Sequence, residues 1–160
     1  MKQYKQALSE LYKNDINSFE KVVNEMSNID ELDKEKRSLA FHAVIEGNIN
    51  ALKILMNKNA NINLYDRNGW TLLHFATDRH LIDITKLLID LKADINAKDN
   101  YGNNVIARAT YATEENGEII RLLLEAGADP LMENNYGNSA ISLASKVTNY
   151  DLKLFFKDYF

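Results

Sequence analysis

Apolar side chains in this chain fall on helical spacing, and the spacing itself returns at a fixed interval. Phe19, Val22, Val23 and Met26 stand at i, i+3, i+4 and i+7, so a helix over Ile16–Met26 carries them on one face. Ile84, Leu87, Leu88 and Leu91 repeat the arrangement and predict a second inward stripe. A charged helix over Tyr4–Lys13 precedes the first stripe. Polar turn residues separate these stretches and keep the same interval. Asp66 to Asp99 is 33 residues, as are Gly69 to Gly102 and Ile62 to Ile95. A recurrence of this length marks a stack of like supersecondary units rather than one mixed core.

The interval reaches toward both ends. Asn14–Phe19 lies 33 residues before Gly47–Leu52, and Asn28-Ile29 lies 33 before Asn61-Ile62. Units therefore run over 1–32, 33–65, 66–98, 99–133 and 134–160. The first has no turn motif ahead of it and a charged first helix, as a terminal cap requires where one face meets water. One slip occurs: Gly102 to Gly137 is 35 residues, which places two extra residues within Thr110–Gly117. Insertions in such arrays map to loops, often on the binding face. Lys36 stands where later units have Gly69 and Gly102. A left-handed turn position costs Lys about 1 kcal/mol relative to Gly, so this turn is expected to differ. Gly127 is the expected glycine just past a helix end, with Asn59 and Lys92 less suited to the same place.

Within the best-preserved unit, Thr71-Leu72-Leu73-His74-Phe75-Ala76 resembles the T-P-L-H-x-A signature of the ankyrin repeat. Ser38–Ala43, Asn104–Ala109 and Ser139–Ala144 fill the same slot, with Leu39, Leu72, Val105 and Ala140 in place of the usual Pro. The resemblance is close over 66–144, looser over 33–65 and faint at the two ends. It implies one all-α domain over 1–160, an ankyrin repeat solenoid of helix-turn-helix pairs linked by β-turn loops. It also implies that Thr71 caps the first helix of its unit while His74 bonds neighbouring backbone. Asn63 and Asn96, the latter with Leu88, occupy the slots that asparaginyl hydroxylases modify in some ankyrin proteins. The competing reading of Asn96 is a hydrogen bond to loop backbone.

Composition narrows the function classes. Net charge is −4 and the isoelectric point about 5.4, against the basic stripe that nucleic-acid binding asks for. There is no cysteine, which removes disulfides, thiolate nucleophiles and Cys-based zinc sites together. No run approaches the roughly 18 apolar residues of a membrane span. Met1–Gln6 carries no apolar signal region, so the chain reads as complete, soluble and cytoplasmic.

Candidate chemistry is sparse. Of three histidines, His74 belongs to the signature, and His80 stands six residues on, not at the i, i+4 spacing that holds zinc on a helix. Asp78-Arg79-His80 falls in a link between helices. No serine has a nucleophile-elbow context and no glycine-rich phosphate loop occurs. No enzyme activity, metal or cofactor is expected.

The expected function is binding another protein. Stacked units of this kind present turn tips and first helices as a concave surface. The variable slots there hold Arg37, Tyr65, Arg67, Asn68, Trp70, Asp78, Arg79, Asn100, Tyr101, Asn103, Tyr111, Asn135, Tyr136 and Asn138 as candidate partner-binding residues. Lys34, Glu35, Glu46, Lys98, Glu133 and Lys146 lie among them, so the face carries +2 on a chain of −4. Trp, Tyr and Arg dominate interface energetics; the other reading of Trp70 and the tyrosines is that they pack the row of turns. Phe155, Phe156, Tyr159 and Phe160 either cover the last unit's core or form an exposed patch for a dimer. A monomer is expected otherwise. An inhibitor or immunity-type protein, a secreted effector and an intracellular scaffold all fit such a module.

Overall fold

The computed structural model describes residues 2–112, 117–146 and 152–159. Nine α-helices occur there: α1 Lys2–Tyr12, α2 Ile16–Glu25, α3 Leu39–Ile45, α4 Ile49–Asn57, α5 Leu72–Asp78, α6 Ile82–Asp90, α7 Val105–Ala112, α8 Glu118–Glu125 and α9 Ala140–Lys146. A 3₁₀ segment, Leu152–Tyr159, closes the chain with a kink at Phe156. No strand is present among the described residues, only an isolated antiparallel bridge between Lys98 and Asn104. The fold is an all-α repeat solenoid.

The chain divides into two compact units, Met1–Arg67 and Asn68–Phe160. In the first, α1 packs on α2 and α3, and α2 packs on α4. Residues 1–32 are thus a helical pair stacked on the next pair. Tyr4, Ala7 and Leu11 meet Phe19, Val22 and Val23 in a buried layer. Leu39, Phe41, Leu52 and Leu55 fill the layer after it. In the second unit α5 packs on α6 and α7, α7 on α8 and α9, and α9 on the closing segment. Its core holds Leu72, Leu73, Leu88, Ile106, Ile119 and Phe156.

Short helices survive here because their ends are tied. Asp15, Asn48 and Asn104 each accept a backbone N–H three residues on, at 3.0–3.1 Å, as N-caps. Thr71 forms a capping box with His74, whose Nδ1 accepts from the Thr71 N–H at 3.2 Å. The His bond expected from the resemblance is thereby present. At the other ends, Asn14, Gly47 and His80 follow the first helices, and Asn59, Lys92 and Gly127 the second, all at positive φ. Each is followed by an N–H bonding five residues back: Asp15 to Glu10, Asn48 to Ala43, Leu81 to Ala76, Ala60 to Leu55, Ala93 to Leu88 and Ala128 to Leu123.

Two expectations change. Lys36 adopts φ 59° and bonds the Asp33 carbonyl at 3.1 Å, just as Gly102 bonds that of Asp99 at 2.9 Å. The turn is kept in spite of the side chain, because the Asp33 carboxylate holds the N–H groups of Glu35 and Arg37. The stripe on α6 is also shorter than its spacing predicts. Ile84 and Leu88 are buried, whereas the helix stops at Asp90 and Lys92 turns left-handed, which carries Leu91 out to solvent.

Where the interval lengthens to 35 residues, α7 runs to Ala112, one residue longer than α3, α5 and α9; 113–116 lie outside the described residues, as does Phe160.

Candidate functional site

Adjacent turns are stitched tip to tip. The Arg67 N–H bonds the Glu35 carbonyl at 3.1 Å in the first unit. In the second, Asn100 bonds Asn68 and Asn135 bonds Tyr101, both at 3.0 Å. Gly69 and Gly102 permit this approach: a Cβ there would come within 2.7 Å and 2.8 Å of the next turn's backbone nitrogen.

Around the turns of the second unit lies a groove of about 450 Å³. Tyr101, Asn103, Arg108, Tyr111, Asn134, Tyr136 and Asn138 line it. The tyrosines are 53%, 56% and 71% exposed for Tyr101, Tyr111 and Tyr136. Five of the residues expected from sequence thus meet at one place.

Arg108 organises the floor. Its Nε donates to Asp99 Oδ2 at 2.6 Å and its Nη2 reaches the same oxygen. Its guanidinium carbon sits 5.3 Å from the Trp70 ring centroid and 5.7 Å from that of Tyr101. Asp99 is buried and also accepts the N–H groups of Tyr101 and Asn103. The last turn repeats this arrangement with an amide, since Asn134 Oδ1 accepts from Tyr136 and Asn138. Sequence reasoning did not single out Arg108 or Asn134. The signal was there: Arg108 is a charge in the slot that holds His42 and Phe75 in earlier units.

The remaining expected residues scatter. Tyr65, Arg67, Asn68, Arg79, Asn100 and Asn135 are exposed, and Asp78 is half-buried at the end of α5. Three differ in kind from a free contact residue. Arg37 is half-buried and bonds Asp66 at 3.2 Å. Trp70 is half-buried, stacked on His74 with centroids 6.1 Å apart and edge-on to Phe75 at 5.0 Å. Asn103, expected to project, is buried instead: its Nδ2 faces the Asp99 carboxylate and its Oδ1 accepts from Asn134 at 2.7 Å. Asn96 Oδ1 accepts the Asp129 N–H at 2.8 Å, a bond to loop backbone that holds consecutive units together.

The first unit contains a hydrogen-bonded chain. The Tyr12 hydroxyl meets His42 Nδ1 at 2.9 Å, and His42 Nε2 meets Asp33 Oδ2 at 2.9 Å. The connectivity resembles an acid–base relay, but Asp33 and His42 occupy the slots of Asp99 and Arg108. Arginine stays protonated in proteins, so the shared role of the pair is to anchor a turn carboxylate. Burial raises the Asp33 carboxyl, yet the N–H of Arg37, the His42 ring and the N–H of Glu35 outweigh it and hold its pKa below the ordinary range.

In the closing segment Leu152 and Phe156 are buried. Phe155 is half-buried against Gly117, with Arg121 over its ring at 5.2 Å, while Leu154 and Tyr159 are exposed. Among the described residues, no helix is long and apolar enough to cross a membrane, and no group of three or more His, Asp or Glu is placed to hold a metal.

A family model described as ankyrin repeats, in three copies, matches residues 6–99. No curated protein matches the chain.

Proposed function

The chain belongs to the ankyrin repeat family, whose repeats generally serve as non-catalytic protein-interaction modules, and on that premise we propose that it binds a partner protein through the turn tips and first helices of its second unit. The observation that carries this reading is the groove itself: three tyrosines more than half exposed surround one cavity above Arg108. Interface hot spots are enriched in Tyr, Trp and Arg seated in a pocket that a partner can dry. The inner polar atoms of the groove are already bonded to each other, so its shape is set before a partner arrives. A cytoplasmic setting fits a chain with no cysteine.

The test is capture from an extract of the source organism on the immobilised chain and on its Tyr111→Ala, Tyr136→Ala double variant. A protein retained by the first and lost from the second supports the reading. Equal retention on both overturns it. The captured protein's own nature then separates the roles: a toxin or enzyme for an inhibitor or immunity-type protein, a host protein for an effector, several components for a scaffold.

A further inference from the structure

We propose that the groove receives an acidic peptide segment of the partner, with an Asp or Glu carboxylate set against Arg108 and the tyrosine hydroxyls. This deepens the reading of that face as the binding face and rests on it. Among the described residues no lining side chain is acidic, and the one ionised lining group there is Arg108. Asp99 lies beneath, buried, with its charge already engaged by Nε and Nη2 of Arg108, whose guanidinium has further donors. The amides of Asn103 and Asn134 are turned inward by bonds to Asp99, to each other and to the turn backbone, while the Asn138 amide is held by the Tyr136 carbonyl and Lys146. What the groove offers an occupant is therefore the Arg108 guanidinium among three exposed tyrosine side chains. At the rim, exposed Lys146 adds a second positive charge, its Nζ 2.6 Å from Asn138 Oδ1.

Three tyrosines around a cavity also suggest an aromatic cage for a cation. Here Arg108 already lies over the Tyr101 ring, and Lys146 stands at the edge, so a cationic guest would meet two like charges. The chain's overall charge of −4 opposes an acidic partner only at long range. Charges beyond about 8 Å are largely screened at physiological salt, which leaves the local groups to decide.

Peptides selected on the full chain from a random displayed library, then synthesised with a fluorophore, test the inference by measured Kd. The expected peptides share an Asp or Glu whose Asn or Gln counterpart binds about 10-fold more weakly, the loss of a charge-assisted hydrogen bond. Their binding weakens with salt, and Lys146→Gln reduces that dependence while the thermal midpoint stays put. Basic or neutral selected peptides, an amide counterpart that binds equally, or no selected peptide would each overturn the inference. The double variant Tyr111→Ala, Tyr136→Ala separates the two levels. If non-acidic peptides bind and are lost from it, the face stands and the acidic preference fails. If peptides of any charge bind it undiminished, the face itself is wrong.

Discussion

Arg108 donates from Nε to Asp99 Oδ2 at 2.6 Å across nine residues, and His42 meets Asp33 Oδ2 at 2.9 Å across the same nine. An arginine and a histidine thus do one job in two different turns. Each anchors the carboxylate that shapes the loop between units. Asp99 is almost wholly buried, so its partner matters more than a surface ion pair would.

Arg108→Met leaves that carboxylate buried and uncompensated, a loss of about 3–5 kcal/mol. Adding Asp99→Asn removes the charge while keeping an acceptor for the turn, as Asn134 shows in the last turn. The double variant is expected to recover most of the loss. Urea midpoints of the two singles and the double measure the coupling; strict additivity refutes it.

The turn positions separate two penalties that sequence lumps together. At Gly137, φ is +70° and nothing lies within 4 Å of an added Cβ, so Gly137→Ala costs about 1–2 kcal/mol of backbone strain alone. Gly102→Ala adds a collision with the backbone nitrogen of Asn135 and costs about 1–3 kcal/mol more. Lys36→Gly relieves strain and is expected to stabilise by about 1 kcal/mol. Thermal unfolding of the three variants gives the order; Gly137→Ala as harmful as Gly102→Ala would contradict it.

Trp70 and Tyr136 are expected to part company. Trp70→Ala strips packing from His74 and Phe75 and lowers stability by about 1–3 kcal/mol. Tyr136→Ala changes stability within about 0.5 kcal/mol but weakens the partner by about 2 kcal/mol or more. Calorimetric unfolding and titration of both variants decide, and the reverse pattern would assign the residues the opposite way.

Stability is expected to fall at both ends of the pH scale through groups of the first unit. Burial raises the Tyr4 hydroxyl above the ordinary tyrosine range, aided by the charge of Asp33; burial and then Glu46 raise Tyr12. The folded state holds these protons more tightly, so their contribution is complete below about pH 10 and is lost as pH rises through the folded values. Asp33 is shifted down, so its contribution is present above about pH 3.9 and is lost as pH falls through its folded value. Denaturation midpoints across pH are expected to show Asp33→Asn flattening the acid limb and Tyr4→Phe the alkaline limb. Tyr4→Phe also loses the bond to the Arg37 carbonyl, about 1 kcal/mol at neutral pH. Unchanged limbs in both variants would refute the assignment.

What the amino-acid order determined alone is what repeats along it. Helix faces such as Phe19, Val22 and Val23, the caps at Asp15 and Thr71, and the left-handed positions at Asn59, Lys92 and Gly127 follow from contacts within a few residues. Within each of the two compact units the 33-residue interval then puts one repeat against its like. Tertiary structure decided which variable slots face a partner. Asn103 and Asn138 share one slot, yet Asn103 is drawn inward because Asn134, 31 residues on, donates to it and Asp99 lies beneath. Trp70, read either as a contact or as packing for the row of turns, and Arg108, which no motif singled out, owe their places to one ring and one carboxylate brought together by stacking. The chain can state which residue fills a slot; only the neighbouring turn's atoms settle whether its polar groups are met within the protein or left to be met from outside.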